Sequence, residues 1–167
     1  MGKLIIGFSK SKSPWKVGGQ VIRLSEKRDF SHAYIRYECI LSKIQTVAQA
    51  SHGYVNEMNF DIFQEHNIVC EEYELQCTEE QFVEVITFIR KNLGVDYSKL
   101  QIFFLAVKKL LHFEVKVYNK DKQFICSEFA ARICQISGIS VPGNLDYYTP
   151  SDLNTLIKKL GHKNELV

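Results

Sequence analysis

Strand-like segments fill the first half of this chain and helix-like segments the second, an order that few architectures satisfy. Lys3 to Phe8, His32 to Cys39, Gln45 to Ala50 and Ile68 to Gln76 are short and rich in Ile, Val and Tyr, which suits a pleated, half-buried surface. From Thr78 onward the period changes. Phe82, Ile86, Ile89 and Leu93 recur at helical spacing, Thr78 and Gln81 make a capping box, and Gly94 supplies a stop. Ser98 to Leu111 is apolar nearly all round and reads as a buried helix. Ser127 to Ser137 places Phe129, Ile133 and Ile136 on one face before Gly138. Pro150 to Leu160 has Thr149 as its cap, proline at its first position, and Leu153, Leu156, Ile157 and Leu160 in helical register. Trp15 to Arg28 is partly helical, weakened by Gly18-Gly19. With no repeats, linkers or low-complexity tracts, the 167 residues predict one α+β domain, residues 1–167, large enough to bury a core.

Charge and cysteine usage narrow the function classes. The formal charge of +2, with acidic and basic residues interspersed, gives no electrostatic footprint for nucleic acid, and none is expected as a partner. Lys10, Lys12, Lys16, Arg23, Lys27 and Arg28 make the first thirty residues cationic. That reads as a solvated face, or as a surface steering an acidic substrate or membrane toward a neighbouring site. The five cysteines, Cys39, Cys70, Cys77, Cys126 and Cys134, form no CxxC pair and no metal-ligand spacing. Their odd number, with an N-terminal apolar run too short for a signal peptide, predicts reduced thiols and a cytoplasmic protein, of a cell or of a phage inside its host. Met1-Gly2 does not start a myristoylation motif, because position 6 is Ile. Ile102 to Val107, the longest apolar run, is far too short to span a bilayer.

The chemistry concentrates in two places almost a hundred residues apart. In Phe124-Ile125-Cys126-Ser127-Glu128-Phe129 a cysteine stands where an apolar lead-in meets a helix. Unpaired backbone N–H groups and the positive end of the dipole favour a thiolate there, and the same groups suit a developing oxyanion. A small buried hydrophobe is the other common use of cysteine, and Cys134, on the apolar side of the same helix, is expected to be one. In Phe30-Ser31-His32-Ala33-Tyr34 a histidine heads a strand, placed to act as base or to be an ordinary structural histidine. A base needs a partner that fixes its tautomer. Gln49, near the end of the following strand, is the expected orienter, with Glu38 and His52 as substitutes. His66 and His112 read as exposed loop or helix-end residues, His162 lies in the C-terminal tail, and Glu128 reads as a helix-terminus charge or a local salt-bridge residue.

These segments together resemble the permuted papain-like cysteine hydrolases of the NlpC superfamily, the YiiX/YaeF-like branch. There the histidine strand precedes the cysteine helix. Phe30-Ser31-His32-Ala33-Tyr34-Ile35 is similar to the family's histidine strand, and Val47-Ala48-Gln49-Ala50 with Gly53-Tyr54-Val55 to the next strand. Phe124 to Phe129 is similar to its CSE helix, and Tyr148-Thr149-Pro150-Ser151-Asp152-Leu153 to its TPSDL element. The resemblance implies a circularly permuted papain-like fold, with a small antiparallel sheet packed with helices. It implies acyl transfer through a thioester on Cys126, with His32 as base and then acid, Gln49 as orienter, and no metal or organic cofactor. Many relatives have Glu or His where this chain has Gln49.

The expected substrate is a peptide, an amide, or an acyl ester or thioester. The alternatives are an acyltransferase resembling the lecithin retinol acyltransferase group, or a non-catalytic peptide- or acyl-binding module on the same scaffold. Trp15, Tyr34, Tyr54, Tyr147 and Tyr148 serve equally as the fringe of a cleft or as core. Helix 98–111 buries its apolar face internally or against a second copy, so oligomeric state stays open.

Overall fold

The structure, a computed structural model, describes residues 2–13, 28–38, 42–51, 53–97 and 123–161. It is an α+β arrangement. The strands are β1 (Leu4–Ser11), β2 (His32–Glu38), β3 (Gln45–Ser51), β4 (Tyr54–Asn59), β5 (Asn67–Leu75), β6 (Asp96–Tyr97) and β7 (Gln123–Phe124). The helices are α1 (Phe60–His66), α2 (Glu79–Lys91), α3 (Cys126–Ile136) and α4 (Pro150–Lys159), with a 3-10 turn at Leu145–Tyr147. The expected helices at 15–28 and 98–111 lie outside the described residues.

The strands form one sheet in the order β5-β1-β2-β3-β4-β6-β7, antiparallel except for the short parallel β6–β7 pair. β1 lies between β2 and β5, which explains why Leu4 to Ser9 are all buried. Gly7 interrupts this apolar strand because the Tyr34 ring lies over it: a Cβ there would sit 2.1 Å from Tyr34 Cζ.

The sheet is coiled. In a flat sheet the end of β4 and the start of β5 would lie at opposite ends of strands four places apart, roughly 30 Å. The chain bridges them with α1, seven residues long, a span of roughly 10 Å. The shorter path runs on the concave side, where Phe63 of α1 packs on Tyr34 and Val47.

The main core lies on the other face. Ala33, Ile35 and Tyr37 of β2, Ala48 and Ala50 of β3, and Leu4, Ile6 and Phe8 of β1 meet α2, α3 and α4 there. Small residues on both sides, Ala33, Ala48 and Ala50 below and Ala130 and Ala131 above, let α3 lie close to β2 and β3. Phe129, Ile133 and Cys134 are fully buried in α3, and burying a Phe or Ile side chain is worth roughly 1.5–3 kcal/mol. α2 has its expected capping box. Its buried stripe is Phe82, Val85 and Ile89 rather than one ending at Leu93, because the helix stops at Lys91 and Leu93 stands in the exposed turn beyond it. Leu160 is likewise exposed, at the C-cap of α4.

The candidate site at one end of the sheet

Strand register determines where the expected residues lie. Ser9 pairs with His32, Ser51 with Tyr54, Tyr54 with Asp96, and Asp96 with Gln123. These pairs mark one end of the sheet. β2 begins there at His32, β3 finishes there just past Gln49, and β7 leaves there at Phe124, two residues before Cys126 starts α3. Cys126, His32 and Gln49 therefore gather at the same end of the fold.

His32 and Gln49 are joined directly, with His32 Nε2 2.6 Å from Gln49 Oε1. Gln49 is 2% exposed, so the contact is shielded from competing water. Glu38 is not the partner. It lies six residues along β2, roughly 20 Å from His32, and bonds Gln45 and Lys43 instead. His52 lies outside the described residues, as do Cys39, His112 and His162; His66 is exposed, as expected.

By strand alternation His32 and Gln49 belong to the row of Tyr34 and Val47, on the concave face. α3 packs on the opposite row. α3 begins at the end of the sheet that carries His32 and Gln49.

Cys126 is the first residue of α3 and is 3% exposed. Ile125 is the N-cap and, being aliphatic, offers no side-chain cap hydrogen bond of its own. The backbone donors of the first turn and the positive end of the helix dipole lie at this end of α3. Glu128 brings a negative charge into this turn, where Arg132 pairs with it at 2.9 Å. Ser127 donates to the Tyr148 carbonyl and so anchors the helix start to the loop ahead of α4. Cys134, deep in the core, has its thiol pushed up to about 12 by burial, and burial also raises Cys70 and Cys77. None of the four described cysteines forms a disulfide.

Residues invisible as partners in the sequence complete the site. Asn56 and Met58 of β4 both face the amide nitrogen of Gln49, at 3.3 and 3.6 Å. Ser9, across from His32, is fully buried and its hydroxyl has no partner among the described residues. Only the β3–β4 pairing, with Gln49 opposite Asn56, exposes these neighbours, and that register follows from the turn at Gly53. Of the expected aromatic fringe, Tyr54 is half exposed, while Tyr34 is core: it is fully buried and donates to Glu72.

Behind the site the concave face holds a second polar group. Arg36 makes paired bonds to Glu72 at 2.9 and 2.6 Å, reaches Gln45, and lies over the Phe60 ring. Burial, and then the Glu72 carboxylate, hold the Tyr34 hydroxyl well above its ordinary pKa.

Among the described residues no three His, Cys, Asp or Glu side chains are grouped to hold a metal, and no helix is long and apolar enough to cross a membrane. No protein-family model matches the chain, and no curated protein matches it.

Proposed function

We propose that the chain is a cysteine hydrolase acting on an amide, peptide, ester or thioester through an acyl-thioester on Cys126. The observation that carries this is the His32–Gln49 hydrogen bond of 2.6 Å at the end of the sheet where Cys126 opens α3. A coiled antiparallel sheet bearing the base and its orienter, with a cysteine-led helix packed outside it, supports a circularly permuted papain-like fold.

In this reading Gln49 Oε1 accepts from His32 Nε2–H, which leaves Nδ1 as the basic nitrogen. Nδ1 takes the thiol proton as Cys126 Sγ attacks the acyl carbon. The carbonyl electrons move onto oxygen, and first-turn N–H groups of α3 stabilise the resulting anion. When the tetrahedral species collapses, His32 gives its proton to the leaving amine, alcohol or thiol. Water then attacks the thioester, again with His32 as base, releasing the acid and restoring the thiol. An acceptor alcohol or amine in place of water gives the acyltransferase variant.

The burial of Cys126 favours one second reading, a non-catalytic peptide- or acyl-binding module. Iodoacetamide labelling across pH 5 to 9, with the modified residue read by mass spectrometry, decides between them. For a hydrolase, Cys126 labels selectively near neutral pH with a depressed apparent pKa, and His32→Ala slows it. Cys134, Cys70 and Cys77 are internal controls whose raised pKa values keep them slow. A Cys126 that reacts like an ordinary thiol, or no faster than these controls, overturns the proposal.

A further inference from the structure

A glutamine can meet a histidine in two ways, and only one makes a useful base. If it presents its oxygen, Nε2 carries the proton and Nδ1 is the acceptor. If it presents its NH2 group, Nε2 must accept and Nδ1 carries the proton. A carboxylate has no such ambiguity. Some other group must therefore decide how Gln49 is turned.

The hydrogen-bond pattern around Gln49 supplies that decision. Asn56 Nδ2 lies 3.3 Å from the backbone carbonyl oxygens of both Ser51 and Tyr54. Carbonyl oxygens only accept, so they hold the NH2 end of Asn56 and turn its oxygen the other way. Asn56 Oδ1 then receives Gln49 Nε2 at 3.3 Å, and the Met58 sulfur receives it at 3.6 Å. Both acceptors facing the Gln49 nitrogen would repel its oxygen if the amide were reversed. The oxygen is left for His32 Nε2.

We propose that Asn56 is a positioning residue: it fixes the orientation of Gln49, and through it the protonated nitrogen of His32, relaying the polarity of two turn carbonyls to the base. Its catalytic importance rests on the hydrolase reading; the tautomer itself does not.

The relay is tested by long-range proton–nitrogen spectra of the histidine-labelled full chain, taken above the pH at which the imidazole titrates. The wild type should show His32 with its proton on Nε2. Asn56→Ala should yield a mixture of both tautomers, and Met58→Leu a smaller shift in the same direction. In a Gln49→Glu background the partner can only accept, so adding Asn56→Ala should leave His32 fully Nε2-protonated. Iodoacetamide labelling of Cys126 should follow, slowing about five- to tenfold in Asn56→Ala, the worth of roughly one net hydrogen bond. It should not slow further when Asn56→Ala is added to Gln49→Glu.

A His32 that keeps a single tautomer in both Asn56→Ala and Met58→Leu overturns the relay. So does an equal loss in the Gln49→Glu background, which would mark Asn56 as merely structural. An ordinary Cys126 thiol in the wild type sinks the hydrolase reading, while the tautomer measurement still decides the relay.

Discussion

On its outer face the sheet meets three helices through a continuous apolar layer, from Leu4 and Ile35 to Phe129 and Ile157. On its concave face the same strands hold only a small aromatic and aliphatic cluster around Tyr34, Val47 and Phe63. Beside that cluster the face carries paired polar groups: Glu72 with Arg36 and Tyr34, and Gln49 with His32 and Asn56. The difference is one of redundancy. An apolar layer spreads its energy over many interchangeable contacts, whereas a buried polar set is satisfied only in one arrangement. Stability belongs mainly to the outer face and orientation to the inner one.

The largest test of this contrast cuts into the outer layer. Phe129→Ala should cost about 3–5 kcal/mol in urea unfolding, because α3 has no slack in which to collapse. Next, Arg36→Ala should cost about 3 kcal/mol by leaving the buried Glu72 carboxylate without its cation, held only by the Tyr34 hydroxyl among the partners described. Replacing the set together, Arg36→Met with Glu72→Leu and Tyr34→Phe, should recover most of that loss. If the triple variant is as unstable as Arg36→Ala, the inner face is a source of stability and the contrast fails.

A smaller effect sits at the rim of the outer layer. Arg132→Ala removes a cationic partner of the buried Glu128 carboxylate and should lower stability by about 2 kcal/mol. A Glu128→Gln change in the same background should restore part of it.

The smallest is a pH effect at the outer edge, where α4 is tied to β5. Glu71 accepts from Tyr73, from Asn154 at 2.7 Å and from Lys158 at 3.0 Å. Burial pushes its pKa up, but these bonds outweigh burial and hold it below the ordinary 4.5. The folded form thus binds its proton less readily than the unfolded chain. The stabilisation is complete above about pH 5 and fades as pH falls through the folded value. Amide exchange in α4 should accelerate there, and Lys158→Met should shift the onset to higher pH. Exchange in α4 that is flat from pH 5 to 3 would remove this tether.

The outer face was largely legible in the sequence, because helical periods and caps are local. The capping box of Thr78 with Gln81 appears as its spacing implies, and Thr149 caps α4 as expected, with Asp152 closing a second box beyond that expectation. Cys134 is core as expected, and Gln49, near the end of the strand next to that of His32, lies within hydrogen-bond distance of the His32 ring. Tyr54–Asn59 and Phe60–His66 were not legible. The first is a strand with polar residues on its inward side, and the second is too short to show a period and is started by a single Asn59 side chain. Arg36 and Glu72 meet across thirty-six positions, and the role of Asn56 depends on which end of two amides points where. No pattern along a chain encodes such pairings; only the register of β3 on β4 does.

The placement of β1 has a consequence in time. Its two neighbours are β2 and β5, and the second does not exist until residue 75 has been made. At about 5–20 residues per second of synthesis, one edge of the most apolar strand waits roughly 3 to 13 seconds for its partner. The nascent chain is therefore most vulnerable to misassociation, and most in need of a holding chaperone, well before the thiol of Cys126 has been synthesised.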